Sequence, residues 1–501
     1  MECTILRPAG KWISSIVDAH TKKHAGRSER RCIIRHALSL SSNLVVGARY
    51  SFNSSKAPQY EDLFKMALHY CLSRHPFLST SIQDPGSETP LFVRPRILRL
   101  SRHIFFNEPE RSGSQESQVL KDLLIELNNE PCAYRDGVPA WKLVVQPLLT
   151  HEDMETRIFW AFFSYSHSHG DGRSGLAFHR TLHEGLQAAS TAVSMPALKT
   201  IDTRNVPPLM PSLEEAAALP ISWTYLLAPL LRVYAPSFIS SALGLQTAMD
   251  GDARTWKGLP CTYDPATHRT ELEVITIGAA ALSRLLSVCR SHGTKLTGLI
   301  HQAVVYALSQ QLSKVESRIT FTGGTPIDLR RLVPAHSEND MVNCFSGVFE
   351  VHQAHPVTKL TKDLTIPEAI WTEARKTSAL LAKRTSTLQD QPIGLLRYLN
   401  NFRAYTLGQL GKEREDTYEV SNIGSFKVED ERPACTVEQL VFTQPAKPTG
   451  AAINFNVVSK GGGDLVMTLT WQRGILEVED EQKSISTLVR DFKQFLMSAS
   501  R

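Results

Sequence analysis

Paired cysteines are missing from this chain: Cys3, Cys32, Cys71, Cys132, Cys261, Cys289, Cys344 and Cys435 are scattered, and no Cys-x-x-Cys occurs. That spacing argues against a zinc knuckle and a disulfide framework and fits a reducing compartment. Met1 to Trp12 contains no apolar stretch of the secretory-signal kind. No large basic block stands behind the net charge of +5, made by 55 basic and 50 acidic residues, so no nucleic-acid partner is expected. The slight positive balance suits an anionic ligand. Internal repeats and low-complexity runs are absent. A spanning helix needs about 20 uninterrupted apolar residues. The most apolar segment, Leu219–Leu245, is broken by Pro220, Pro229 and Pro236 and carries Arg232. It reads as a partly buried crossover, with a peripheral membrane contact or a hydrophobic acceptor tunnel as the alternatives. The expected location is cytoplasmic, or peripheral on an intracellular membrane, and the expected state is a monomer.

At 501 residues, 42% of them hydrophobic, the chain is too long for one ordinary core, and two domains or more are expected. Cys32–Ser51 has short apolar stretches compatible with strands. The spacing predicts helices over Tyr60–Arg74, ended by His75-Pro76, and over Gln118–Asn129, with a polar loop over Phe105–Gln118. Two apolar runs, Lys142–Leu149 and Ile158–Tyr165, read as strands around a hairpin tip at His151–Arg157. The second run is nearly continuous, as in a strand buried on both faces. Helical spacing resumes over Ser174–Gln187. After a Pro-punctuated crossover the pattern restarts with a strand at Glu271–Ile277. A helix through Leu282–Cys289 ends at Gly293, and a long helix covers Leu296–Leu312. Then come a strand at Thr320–Thr325 and helices near Pro367–Lys383 and Pro392–Lys412. Strands are expected near Tyr418–Ile423, Ala452–Val458 and Leu465–Trp471, and a last helix from Glu481 to about Met497. The reading is mixed α/β in two halves, divided as 1–205, a crossover 206–260, and 261–501.

Between the buried strand and its helix lies His167-Ser168-His169-Gly170-Asp171-Gly172. A neutral imidazole is the side chain best suited to take a proton from a hydroxyl attacking a thioester carbonyl. Such chemistry needs no metal, only a fixed tautomer and one or two donors for the developing oxyanion. The same residues have other readings. A histidine beside a strand is often structural, and His167-x-His169-x-Asp171 also begins a metallo-β-lactamase-type ligand set, although Gly172 stands where that motif continues with histidine. His179 and His183 stand at i and i+4 without a glutamate between them, and His292 and His301 have ordinary helical settings. No Gly-x-Ser-x-Gly elbow occurs. Gly461-Gly462-Gly463-Asp464 reads as a hairpin turn, since no Walker-type Lys follows.

His167 to Gly172 resembles the His-x-x-x-Asp-Gly motif of the chloramphenicol acetyltransferase-like superfamily. Asp171-Gly172-Arg173-Ser174 is similar to the fungal alcohol acetyltransferase family within it. Three further stretches resemble elements of these groups, in the expected order: Trp141-Lys142-Leu143-Val144-Val145-Gln146-Pro147, Pro326-Ile327-Asp328-Leu329-Arg330, and Ser421-Asn422-Ile423-Gly424. The resemblance implies a mixed α/β fold of two similar domains with a tunnel between them. Acyl-CoA, most simply acetyl-CoA, would be the co-substrate, with no bound cofactor and no metal. The acceptor would be a hydroxyl of a short-chain alcohol or a secondary metabolite. Alternatives are an amine acceptor or a non-catalytic relative that binds an apolar ligand.

His167 would be the general base, Asp171 would make a structural salt bridge with Arg330, and Gly172 would allow close backbone approach. Ser421 and Asn422 would border the tunnel and help the oxyanion. Trp141 is a candidate for the acceptor site, as are Trp223, Tyr225 and Tyr234. Arg330-Arg331 could touch CoA phosphates. Two departures matter. The Asp-Phe-Gly-Trp-Gly string of the plant-type members is absent. Ser166 stands where peptide-synthetase condensation domains usually have a second histidine, which leaves His169 as a loop hydrogen-bonding residue.

Overall fold

The structure, a computed structural model, describes residues 3–5, 22–53, 59–111, 113, 116–130, 134–149, 157–192, 197–227, 255–312, 320–356, 366–428 and 434–500. Its long helices are α1 (Arg27–Ala37), α2 (Tyr60–Arg74), α3 (Glu116–Asn129), α4 (Gly172–Thr191), α5 (Ala279–Ser291), α6 (Leu296–Leu312), α7 (Glu368–Arg384) and α8 (Glu481–Ala499). Its long strands are β1 (Leu44–Phe52), β2 (Trp141–Leu149), β3 (Arg157–Tyr165), β4 (Thr270–Ile277), β5 (Thr320–Asp328), β6 (Phe345–Gln353), β7 (Tyr418–Phe426), β8 (Cys435–Thr443), β9 (Ile453–Lys460) and β10 (Leu465–Gln472). Two six-stranded mixed sheets result, one in each half of the molecule.

The first sheet runs β8-β1-β3-β2, with Ile104–Phe106 and Glu110–Arg111 parallel to β2. Its central strand β3 explains the unbroken apolar run in the sequence. Side chains alternate across a strand, and here both faces are covered. Phe159, Ala161, Phe163 and Tyr165 enter the core shared with α2 and α4. Trp160 and Phe162 enter a second core with Leu120, Leu124 and Leu127 of α3, and with Leu272 and Val466 from the other sheet. The second sheet runs β4-β10-β9-β7-β5-β6, with β7 parallel to both neighbours. Its core takes in α5, α6 and α8. Helix α6 is buried without interruption from Gly298 to Ser309, as suits a helix that is apolar on all sides.

Several elements depart from the sequence reading. Cys32 lies in α1 rather than in a strand. Ile104–Phe106 and Glu110–Arg111 are short strands within the stretch read as loop. The helix expected over Pro392–Lys412 is a 3-10 segment, Pro392–Tyr398, and a separate short helix, Phe402–Leu407. Asn401 separates them, because its side chain accepts from the Ala404 N–H and caps the second. Strand β6 was not anticipated, and nor was β8. That strand leaves the 261–501 segment and pairs with β1 at the edge of the first sheet.

The hairpin tip expected at His151–Arg157 lies outside the described residues except for Arg157. Residues 228–245 of the apolar segment, Tyr234 among them, also lie outside. Among the described residues no helix is long and apolar enough to cross a membrane.

Helices α2 and α4 pack closely because α4 offers Gly185: a Cβ there would come within 2.8 Å of Ala67 Cα. Gly185→Val is expected to lower the unfolding free energy by about 1–3 kcal/mol, read from the urea midpoint.

Candidate active site

Strand β3 ends at Tyr165, and the chain turns through 166–171 into α4. The turn is fixed from both sides. Ser166 N–H donates to Ala140 O (2.9 Å), and His169 N–H to Ser166 O (2.9 Å). The Tyr165 hydroxyl donates to Asp171 O (2.7 Å). Asp171 is the N-cap of α4 and accepts from Ser174 N–H (3.1 Å). Gly172 begins the helix where only glycine fits, since a Cβ would lie 2.6 Å from Ile423 Cγ2 and 3.2 Å from the Phe442 ring.

Arg330, which follows β5, reaches this turn from 159 residues away. Its two terminal nitrogens donate to the two oxygens of Asp171, each at 2.9 Å. Both side chains are buried, at 1% and 6% exposure. The guanidinium also donates to Asp328 (2.8 Å) and to the Val342 carbonyl (3.0 Å), and Cys344 N–H donates to Asp171 (3.1 Å). Burial alone would raise the Asp171 carboxyl, but Arg330, by charge and hydrogen bond, holds it below the ordinary range. Asp171 N–H meets Val342 O (3.3 Å), and the Ser174 hydroxyl bridges to the same residue. Residues 340–344 are therefore stitched along the turn.

That stitching brings Asn343 to His167. The Asn343 amide N–H donates to His167 O (2.8 Å), and its carbonyl oxygen faces His167 Nδ1 (3.0 Å). The first bond fixes which way the amide points, so Nδ1 must carry the proton and Nε2 is left as the acceptor. His167 is half-buried, while Ser166, Ser168, His169 and Gly170 are buried. Phe345 lies beside the ring at 5.1 Å between centroids. The thiol of Cys32, on α1, adjoins the imidazole. Burial opposes the imidazolium, yet Cys32, by charge and hydrogen bond, leaves the His167 pKa above its ordinary value against an opposing push from Lys447.

His167, His169 and Asp171 do not converge on a point. His169 is buried, with Nε2 on Thr80 O (2.8 Å) and Nδ1 on the Ser168 hydroxyl (2.9 Å), and burial lowers its pKa to about 4. His179 and His183 are likewise engaged, with Val46 O (2.8 Å) and Cys435 O (3.0 Å). Among the described residues no group of three or more His, Cys, Asp or Glu is arranged to hold a metal ion.

The other sequence candidates are dispersed. Trp141 packs in the first core, 3% exposed, stacked on His103, with its indole N–H on Leu78 O (2.8 Å). It is buried in the core, with His103 stacked on one face, Phe163 tilted beside it and its donor already engaged. Trp223 is 76% exposed and Tyr225 lies under Arg384. Arg331 is exposed beside Glu338. Ser421-Asn422-Ile423-Gly424 forms an irregularity of β7 against β9. Gly424 has φ +96°, and its N–H donates to Asn422 Oδ1 (2.9 Å). The Asn422 amide donates to Thr297 (3.1 Å), while Ile423 packs on Gly172. Surface concavities of about 460 and 520 Å³ lie around Asn129 and Arg269, and His167 lines neither.

Sequence reasoning missed Asn343 and Cys32. Asn343 sits in an unremarked Met341–Phe345 stretch, and the one signal for Cys32 was a thiol inside the run Arg27, Arg30, Arg31, Arg35.

Asp171→Asn leaves the buried Arg330 with Asp328 as its remaining carboxylate among the described residues, at an expected cost of at most about 3–5 kcal/mol in unfolding free energy. Because the folded pKa of Asp171 is depressed, the pair's contribution is complete above its unfolded value of about 3.9 and lost as pH falls through the folded value. Urea titrations of both proteins should therefore differ at neutral pH and converge in acid.

Residues 104–496 match the alcohol acetyltransferase family. The probable alcohol acetyltransferase FCK4 of Fusarium pseudograminearum is 24% identical over 473 residues, 91% of this chain and 92% of its own. The probable alcohol acetyltransferase crmB of Aspergillus fumigatus is 24% identical over 481 residues, 90% and 95% of the two chains. Among solved structures, the trichothecene 15-O-acetyltransferase TRI3 from Fusarium sporotrichioides is similar with a TM-score of 0.67 at 13% identity, covering 99% of this chain and 98% of its own. Polyketide synthase associated protein 5 from Mycobacterium tuberculosis gives 0.52 at 12% identity, over 94% and 96%. The likenesses to solved structures carry the fold, the two-halved chloramphenicol acetyltransferase-like architecture. With the family match extending over most of its length, the chain belongs to the alcohol acetyltransferase family and is an acyltransferase.

Proposed function

We propose that this protein transfers an acetyl group from acetyl-CoA to a hydroxyl of a small alcohol or secondary metabolite, with His167 as general base. The observation that carries this reading is the two-point hold of Asn343 on His167. It leaves Nε2 as the accepting nitrogen, beside the Cys32 sulfur, on the one partly exposed residue of the turn. Nε2 takes the acceptor's proton as the oxygen bonds to the thioester carbonyl carbon. The tetrahedral intermediate then collapses, the C–S bond breaks, and the proton passes to the CoA thiolate. No metal enters these steps.

Asp171, Gly172 and Arg330 act at one remove by holding the turn. Ser421 is the candidate oxyanion donor, since its hydroxyl has no hydrogen bond among the described residues. Asn422 is committed to Thr297 and Gly424 and borders the site instead. Acyl-CoA and acceptor would approach His167 from opposite ends of a tunnel between the halves.

The test is release of free CoA from acetyl-CoA with a panel of alcohols, followed with a thiol reagent. His167→Ala is expected to lose about 10²–10⁴ in turnover with unchanged thermal unfolding; full activity in that variant would overturn the assignment. The pH profile gives a second check. Only neutral imidazole can act, so a raised pKa places the acid limb of kcat/KM above the ordinary histidine value of about 6.5. Cys32→Ala removes the raising influence while burial and Lys447 still lower the pKa, and the acid limb should move to lower pH.

A further inference from the structure

Arg31 and Arg35 of α1 and Lys447 come together next to Cys32, and none of the three has an ion pair among the described residues. Arg31 and Arg35 are on the face of α1 that carries Cys32, one helical turn apart. Arg35 donates to the Thr449 hydroxyl (3.0 Å), in the turn closed by Gly450 N–H on Lys447 O (3.0 Å). This brings the Lys447 ammonium into the same charge field as both arginines. All three side chains are half-buried, and no carboxylate among the described residues lies within ion-pair distance of any of them.

Arg35 Nε is a buried donor without a partner. The nearest acidic groups are held off. Gln444 stands between Lys447 and Glu419, accepting from the first (3.0 Å) and donating to the second (2.6 Å). Glu415 is exposed, where water screens it. Burial, with Arg31 beside it, pulls the Arg35 pKa down to about 10. Unpaired cations taken from water are costly unless an anion joins them.

We infer that Arg31, Arg35 and Lys447 form a subsite for a carboxylate carried by the acceptor, which makes the preferred acceptor a hydroxy acid; this rests on the acyl-transfer reading of His167. The phosphates of CoA lie a full pantetheine arm from the thioester. Lys447, in contrast, is close enough to His167 for its charge to act on the imidazole. Helix α1 itself lies against the turn, His36 Nδ1 meeting the Ser166 hydroxyl at 3.3 Å, so Arg35 and its neighbours stand close to the reacting residue. Held there, a carboxylate positions the neighbouring hydroxyl at Nε2.

The experiment compares kcat/KM for 3-hydroxybutyrate and 3-hydroxybenzoate with their methyl esters, using acetyl-CoA and the wild-type, Arg35→Gln and Lys447→Gln proteins. Calorimetric binding of the same compounds to His167→Ala, which needs no turnover, runs beside it. A free acid favoured roughly tenfold or more over its ester, with the ratio collapsing in both variants, is the expected result. Equal handling of acid and ester in both assays overturns the subsite. So does a rise in KM for acetyl-CoA, absent with acetyl-pantetheine, that leaves the acid-to-ester ratio alone, since that assigns the cations to the donor's phosphates. Absence of CoA release with every acceptor would count against acyl transfer itself, and the calorimetry would still decide the subsite.

Discussion

The Asp171 carboxylate takes five hydrogen bonds: two from Arg330, two from Ser174 and one from the Cys344 backbone. A buried charge is tolerable only when it is paired and its lone pairs are filled, and here both conditions are met by groups drawn from the two halves of the chain. The pair makes one rigid unit of the end of β3, the start of α4, the residue after β5 and the approach to β6. Asn343 reaches His167 only because Val342 and Cys344, its two neighbours, are tied to that unit. The orientation of the imidazole is thus inherited from an ion pair that does not touch it.

Two histidines two residues apart in one turn have opposite properties for this reason. His169 points inward, between a carbonyl and a serine hydroxyl, and burial keeps it neutral. His167 adjoins Cys32 of α1, whose sulfur when ionised favours the charged imidazole, while the Lys447 ammonium disfavours it. Local sequence treats the two alike; what separates them is which distant segment each ring faces.

Much of the architecture was legible because it is written in local patterns. The α2 boundaries, the doubly buried β3 and the all-apolar α6 follow from period and run length. The glycine-bounded turn between β3 and α4 was legible as a turn, and the contact of Asp171 with Arg330 through their motif contexts. Strands β6 and β8 were not, because a strand half-covered by elements far along the chain carries a diluted alternation. Trp141 was misplaced because an aromatic in a motif resembles a binding residue until its N–H is seen to be spent on Leu78. Asn343 and Cys32 were invisible since their significance lies only in which ring they meet.

The crossing of β8 into the first sheet has a consequence for the order in which the molecule can be made. Strand β1 is complete by residue 52, yet its open edge is covered by residues 435–443. Nearly four hundred further residues must leave the ribosome before that edge is capped. Until then the first half presents unpaired strand edge and part of its apolar core to its surroundings. The two halves cannot mature as independent units, and the long loop closure involved makes the last step of assembly a slow one.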